Sequence, residues 1–388
     1  MRICSPQLGI SPEATLGGEV YDREILTRLA ALGAKVEAIL PAGLPCPQVS
    51  NLRVTRVPLR RGYRWFVSNL VFVPYIAQVY RRQPFDLLRV HSLRFTGPAA
   101  LVARRLLRLP VPVVAHHHHV ERGRWTNHVD RRVALRCDLI ITGSRFAQRQ
   151  LISELGVAPE RVEVVYDGVG QAYRSLPRDD ELAARLGVAG RKVLLYLGSL
   201  KPRKNLGVLL EALRLVLRER KYVHGVQLLL AGRGESEAAL RRQTLRLGLG
   251  GAVSFAGFVP EGEKVAWYNL ADIFVLPSRL EGFGLVAAEA MACGKPVVAS
   301  RAGALPEVVA DSETGILCDP DDPADFARAI LRLLEDPSLA EKMGKAGLAR
   351  VKRLFQWDET ARRTLELYQD VVQLWREGCR PGRRRSAA

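Results

Sequence analysis

The chain has 388 residues, 48% hydrophobic and 25% charged, the balance of a folded globular protein rather than a disordered one. Two or three domains, each with its own core, are expected at that length. The formal net charge of +18 is the unusual bulk property, and residues 1–175 hold 25 Lys and Arg against 13 Asp and Glu. A field of that sign favours anionic partners such as nucleic acid, anionic lipid or a phosphorylated substrate; an Arg-rich surface with no such role is the plainer alternative. The longest apolar run, within 67–80, is broken by Ser68, Asn69, Pro74 and Gln78 and is too short and polar to span a bilayer. The start, MRICSPQLGISPEA, lacks the apolar core of a secretion signal, and the six cysteines contain no CxxC pair. A reduced, cytoplasmic protein without a zinc site or disulfide frame is expected.

Arg2–Ser5 reads as a first strand. A turn-rich stretch ending in Leu16-Gly17-Gly18 follows, then a helix from Glu19 to Leu32 with Val20, Ile25, Leu29 and Leu32 on one face. Gly17 and Gly18 before a helix N-terminus let the backbone approach a phosphate, although most Gly-Gly pairs are only turns. Strands at Val36–Leu40, Leu52–Val57, Asp86–Val90 and Val111–Ala115 alternate with helices at Trp65–Arg82 and Gly97–Leu107, the pattern of βαβ units in a parallel sheet. The Trp65–Arg82 helix has basic residues on both flanks, Arg60, Arg61, Arg64, Arg81 and Arg82, around Trp65, Phe66, Phe72, Tyr75 and Tyr80. It suits either an anionic membrane surface or a core-packed helix with solvated ends. His116 to His119 then follow a strand; consecutive residues of an extended chain point in alternate directions, so the run makes no metal cage by itself. Trp125–Arg136 reads as helix and Cys137–Ile141 as strand, with Ser144 the N-cap of a helix Arg145–Leu155. After a strand at Arg161–Val165 comes the turn Tyr166-Asp-Gly-Val169, and Gly168–Arg178 reads as a linker.

The alternation resumes with a buried strand, Val193–Leu197, and the loop Gly198-Ser199-Leu-Lys-Pro-Arg203-Lys204-Asn205 before a helix Leu206–Arg220. Two adjacent cations before a helix start can clamp a diphosphate, though basic loops are common without that role. The strand Val226–Ala231 runs into Gly232-Arg-Gly234-Glu235, short of a full GxGxxG, so dinucleotide binding is not implied. Val253–Phe255 leads into Gly257-Phe258-Val259-Pro260. The most informative stretch is Pro277 to Ser300, PSRLEGFGLVAAEAMACGKPVVAS, read as a turn after the strand Asp272–Leu276, a helix Leu285–Cys293 ended by Gly294, and a strand from Pro296. Glu281 lies in the turn at the carboxyl end of a parallel strand, where open α/β sheets bind ligands. Glu289 falls on the apolar helix face with Leu285, Ala292 and Cys293 and therefore needs a hydrogen-bonding partner. A vicinal diol such as a nucleotide ribose would serve; so would a neighbouring Arg, with Glu281 simply at the surface. The N–H groups of Gly282, Phe283, Gly284 and Leu285 would face the same crevice. A short helix from about Arg301 to Glu307, a strand Gly315–Cys318 and helices Pro323–Glu335, Ser338–Leu354 and Asp358–Arg376 complete the pattern, before a basic tail with Arg383-Arg-Arg385 that reads as disordered.

The 277–300 stretch resembles the signature of retaining glycosyltransferases of family 4, in which EGFGLxxxEAMAxGxPVVAS is characteristic. The resemblance implies an α/β chain of the GT-B kind, two Rossmann-like doubly wound domains facing across a cleft. Residues 1–172 would be the acceptor side, with helix 358–376 returning onto it, 173–357 the nucleotide-sugar domain, and 378–388 a tail. It implies retaining, metal-independent transfer of a hexosyl group from a GDP- or UDP-linked sugar to a glycan or lipid-linked glycan, with no other cofactor. Ser199 stands where many relatives have Arg, which favours mannosyl. Glu289 would hold the ribose, Glu281 would lie beside the transferred sugar, and the amides of Gly282, Phe283, Gly284 and Leu285 would bind its hydroxyls. Arg203 and Lys204 would neutralise the leaving diphosphate, with Gly17 and Gly18 facing it. Gly198, Ser199 and Gly232 would line the donor site, and Phe258 and Val259 the base pocket. The family's PxVxxxH spacing, counted from Pro112, places the functional histidine at His118, with His117 and His119 the alternatives; His118, Lys204 and Glu281 are then the catalytic candidates. Asp167 stands where the family usually has Asn in an Asn-Gly-Val turn. Peripheral attachment to the inner face of a membrane, in polysaccharide biosynthesis, would account for the basic first half. A nucleotide-sugar epimerase or a glucan synthase on the same scaffold is the alternative among enzymes. A nucleic-acid-binding module is the alternative outside them, but it gives the 277–300 stretch no task, so no nucleic-acid partner is expected.

Overall fold

The computed structural model describes residues 1–12, 17–59, 68–118, 124–219, 222 and 225–379. The chain forms two compact units, Met1–Asp167 with Trp357–Ala388, and Gly168–Gln356. In the first, β1 (Arg2–Pro6), β2 (Lys35–Pro41), β3 (Leu52–Val57), β4 (Leu87–Val90), β5 (Val113–His116), β6 (Leu139–Thr142) and β7 (Val162–Val164) form one sheet, ordered β3-β2-β1-β4-β5-β6-β7. Every pairing is parallel. The helices are α1 (Gly17–Ala31), α2 (Phe72–Arg82), α3 (Gly97–Leu106), α4 (Arg124–Ala134) and α5 (Arg145–Ser153). Strands β4, β5 and β6 read LLRV, VVAH and LIIT and are buried at every position, as strands covered on both faces must be. The winding reverses between β1 and β4, which makes the carboxyl ends of those strands the switch point of the sheet.

The second unit comprises α6 (Asp180–Arg185), β8 (Lys192–Leu197), α7 (Leu206–Val216), β9 (Val226–Ala231), α8 (Glu237–Arg246), β10 (Val253–Gly257), α9 (Lys264–Leu270), β11 (Ile273–Leu276), α10 (Leu285–Ala292), β12 (Val297–Ser300), α11 (Leu305–Val308), β13 (Gly315–Cys318), α12 (Pro323–Glu335) and α13 (Pro337–Leu354). Its parallel sheet runs β10-β9-β8-β11-β12-β13, so the switch point lies between β8 and β11. The helix α10, LVAAEAMA, is buried from Ala287 to Ala292 because its small side chains admit neighbours on every side. A Cβ on Gly344 of α13 would come within 2.1 Å of the Gly294 carbonyl oxygen. The last helix, α14 (Trp357–Arg376), belongs to the first unit and packs on α1.

Several expectations shift. Gly17 and Gly18 are the first two residues of α1 and not a turn ahead of it. The helix expected over 65–82 begins at Phe72, after a single 3-10 turn over Ser68–Val71. Phe72 is buried in the core, and Tyr75 and Tyr80 pack against it, the core-packed alternative for these three aromatics. Arg60, Arg61, Arg64, Trp65, Phe66 and His119 lie outside the described residues, as do Arg383–Arg385 of the tail. Among the described residues no helix is long and apolar enough to cross a membrane.

Candidate active site

At the switch point of the second sheet, the loop after β8 and the turn after β11 meet through side chains of opposite charge. Pro202–Lys204 forms a 3-10 turn that Asn205 closes in the left-handed conformation before α7 starts. Lys204 is buried, and its Nζ donates to Glu281 Oε1 at 2.5 Å. Arg203, whose side chain is 38% exposed, donates through Nη1 to the Leu280 carbonyl at 2.8 Å and lies 3.4 Å from Glu281 Oε2. Burial pushes the Glu281 carboxyl up, but Lys204 and Arg203 outweigh it and hold it below the usual range. Glu281 is therefore a buried carboxylate held by two cations, one of which keeps contact with solvent.

The loops around this pair fit backbone to backbone. Gly232, after β9, has φ +148°, and a Cβ there would stand 1.8 Å from the Gly198 carbonyl oxygen, so no other residue fits. Tyr196 OH donates to the Ser199 carbonyl at 2.8 Å and fixes the start of the β8 loop. Gly284 is the N-cap of α10 at φ +102°, and Phe283 packs edge-on against Phe355 with ring centroids 5.2 Å apart. The Phe283 side chain thus anchors the Gly282–Leu285 turn to the core. In the loop after β10, Val259 is buried and Phe258 is 50% exposed.

Glu289 sits one helical turn into α10 and is buried, as its apolar face requires. Its Oε2 accepts from Tyr268 OH at 2.7 Å. Burial raises its carboxyl pKa, with Lys264 and Tyr268 opposing. Tyr173 OH donates to Glu261 Oε1 at 2.6 Å, and Lys264 Nζ lies 2.6 Å from Glu261 Oε2. A ring of two tyrosines, a lysine and a second glutamate thus surrounds Glu289. Sequence reading found none of these four, because they come from two stretches, at 173 and 261–268, both apart from the motif that holds Glu289.

In the first unit, the loops after β4 and β5 carry histidines toward the start of α1. His91 Nδ1 lies 2.6 Å from Asp22 Oδ2, and a Cβ on Gly18 would come within 3.0 Å of His91 Nε2. Asp22 is also paired with Arg89, whose Nη2 is 2.5 Å from Asp22 Oδ1. Burial raises the Asp22 carboxyl, yet Arg89 and His91 hold it below the usual range. The fully buried His116 ends β5, with Nδ1 2.8 Å from Tyr21 OH and Nε2 2.5 Å from Tyr368 OH. Burial and the nearby Arg89 drive its pKa well down, so it is a neutral packing residue. His117 and His118 are half-buried; the His118 ring meets Tyr21 at 4.3 Å between centroids, and its Nδ1 lies 3.8 Å from Asp167 Oδ1. Asp167 is buried, and burial pushes its carboxyl up to about 8. Among the described residues, no group of three or more His, Cys, Asp or Glu is placed to hold a metal ion.

Residues 178–350 match the family model described as glycosyl transferases group 1, and residues 16–171 match that of glycosyltransferase family 4. The D-inositol 3-phosphate glycosyltransferase of Thermomonospora curvata is 31% identical over 94% of this chain and 94% of its own. That of Thermobispora bispora is 34% identical over 92% and 90%. Among solved structures, sucrose-phosphate synthase from Thermosynechococcus elongatus superposes with a TM-score of 0.83 at 24% identity, covering 96% of this chain and 99% of that one. Anabaena HepE in complex with UDP-glucose does so at 0.79 and 24%, covering 95% and 100%. Its sheets, its 277–300 stretch and these relatives agree: the chain belongs to the group 1 glycosyltransferases of the GT-B fold.

Proposed function

We propose that this glycosyltransferase moves a hexosyl group from a nucleotide-diphosphate sugar to a glycan or lipid-linked glycan, with retention of anomeric configuration and without a metal ion. The observation that carries the reading is the Lys204–Glu281 pair at the switch point, with Arg203 beside it. Breaking the sugar–phosphate bond leaves negative charge on the departing diphosphate. Arg203 and Lys204, fixed before α7, are positioned to take up that charge, as a metal ion does elsewhere. Glu289, oriented by Tyr268, would accept the ribose hydroxyls, and Phe258 with Val259 would flank the base. Gly17 and Gly18 would admit the diphosphate, and the turn amides of Gly282–Leu285 the sugar. His118 would hydrogen-bond the sugar or the acceptor. Ser199 favours mannosyl among hexoses, and the donor would be GDP- or UDP-linked.

Two supports bear on the acceptor. The relatives are named for inositol 3-phosphate, a phosphorylated polyol, and the first 175 residues are strongly basic. An acceptor with a phosphate, either a free phosphorylated polyol or a lipid-linked phosphorylated glycan at the inner face of a membrane, fits both. Mass spectrometry of products from a panel of nucleotide sugars, each offered with D-inositol 3-phosphate and with lipid-linked glycans, in EDTA, tests the whole reading. A single donor–acceptor pair giving an anomerically retained product is expected. Inversion, or activity only with added divalent metal, would overturn the mechanism.

A further inference from the structure

The charge of the first unit has only a general use in the proposed reaction, yet one place concentrates it. Arg104 and Arg108 at the end of α3, Arg136 after α4 and Arg161 before β7 line a cavity of about 460 Å³. Asp138 lies in its floor, and Trp375 of α14 forms one wall. The residues entering β5 and β6 frame it, so it opens at the amino ends of these strands. His91 and His118 follow the carboxyl ends, at the opposite edge of the sheet.

Not all of these charges are spent. Asp138 Oδ2 is taken by Arg104 Nη1 at 2.5 Å and by the Val113 N–H at 2.8 Å, which leaves Arg104 and Asp138 mutually neutralised. Arg161 donates to the carbonyls of Ala134 and Leu135, at 3.1 and 3.3 Å, and Arg136 to that of Arg132 at 2.8 Å. Those bonds hold the guanidinium groups in place but cancel no charge. The Arg108 side chain makes no hydrogen bond or ion pair among the described residues. Three cations without an acidic partner thus share one concavity, an arrangement whose mutual repulsion a bound anion would relieve. The Arg104 guanidinium lies 5.7 Å from the Trp375 ring centroid, which keeps the indole against the opening.

We propose that this pocket binds a phosphate-bearing anion, its oxygens held by Arg108, Arg136 and Arg161 beside the Trp375 indole. Planar guanidinium groups match phosphate oxygens two at a time, which a field of lysines does not. The cavity is large enough for more than a bare phosphate. The same chemistry is offered by a soluble phosphorylated molecule and by a phosphomonoester lipid headgroup. The site is separate from the proposed diphosphate clamp, which lies in the other unit.

The test uses the full chain and the double variant Arg108→Glu/Arg136→Glu, both residues being exposed. One arm is calorimetry with inorganic pyrophosphate, which the diphosphate clamp of the other unit can also take, so the pocket is read as the second site of the wild type; the other arm is sedimentation with vesicles of phosphatidic acid or of phosphatidylcholine. At least about a tenfold weakening is expected in one arm, since two charge-assisted contacts are lost. Binding of a nucleoside diphosphate at the other unit should be unchanged, which also shows that the variant is folded. Loss of pyrophosphate binding with vesicle binding unaltered assigns a soluble ligand; loss of phosphatidic acid sedimentation assigns a lipid headgroup. Arg108→Gln/Arg136→Gln, which deletes the charges without reversing them, should weaken the same arm less. Equal behaviour of wild type and both variants in both arms overturns the proposal.

Discussion

Lys204 and Glu281 are stable in the core only as a pair, and the two can be separated from their chemistry by substitution. Lys204→Met leaves a buried carboxylate without its main partner, a loss of about 3–5 kcal/mol, read by denaturant unfolding. It should also lower kcat by about 100-fold, because the departing diphosphate loses a fixed cation. The double variant Lys204→Met/Glu281→Gln should regain much of the stability and none of the rate; recovery of both would make the pair purely structural. Asp167 allows a different measurement. Its carboxyl, pushed up to about 8 by burial, stays protonated in the fold while the unfolded chain ionises near 3.8. Between those values the folded state binds the extra proton, so stability should fall as pH rises, by up to about 1.4 kcal/mol per unit. Asp167→Asn should remove that slope in unfolding titrations from pH 5 to pH 7.5. Parallel profiles for the two proteins would show the carboxyl to be ionised in the fold. The sequence exposed Glu281 and Glu289 because they fall in one long motif, and Lys204 because it stands beside Arg203 in a basic loop before a helix. It hid the Asp22–Arg89 pair, whose members are 67 residues apart, and the Arg89–Tyr368 contact, which spans 279. A buried Arg in an otherwise apolar strand has no signature in one dimension; its partners give it meaning.

Among the elements, α14 completes the first unit from the far end of the chain. Trp357, Thr360, Ala361, Thr364, Leu367, Tyr368, Val371 and Val372 are buried along one face, the spacing of an amphipathic helix seated on a core. Tyr368 reaches beyond packing, since its hydroxyl accepts from Arg89 Nε at 3.1 Å and meets His116 Nε2. Tyr368→Phe should therefore cost about 1–3 kcal/mol, the penalty for buried polar groups left short of a partner. Chemical denaturation of the full chain checks this, and an unchanged midpoint would mean that water replaces the hydroxyl. The helix α14 was legible in the sequence, as were the apolar runs within β8, β9 and β11. The start of α2 was not, although Pro74 marks it: proline is tolerated in the first turn of a helix, where its missing N–H satisfies nothing.

At the scale of the molecule, the second unit is one unbroken segment and the first is not. Residues 168–356 produced alone should unfold cooperatively and bind a nucleoside diphosphate in calorimetry, whereas 1–167 alone should lack a cooperative transition. A non-cooperative melt of 168–356 would show that neither unit is autonomous. The alternating strands and helices made two doubly wound sheets legible, because each βαβ step is local. The arginine pocket was not, since its walls come from 104 to 161 and from 375. The return of α14 also sets an order in time. A chain emerging from the ribosome presents the first seven strands early, with Arg89 lacking its Tyr368 and the α14-facing core open to water. All of 168–356 must then be translated before the covering helix exists, a delay of about 10–40 s at ordinary elongation rates. The unit made second completes itself first, and the nascent first unit spends that interval as a sticky, half-closed sheet that a chaperone would recognise.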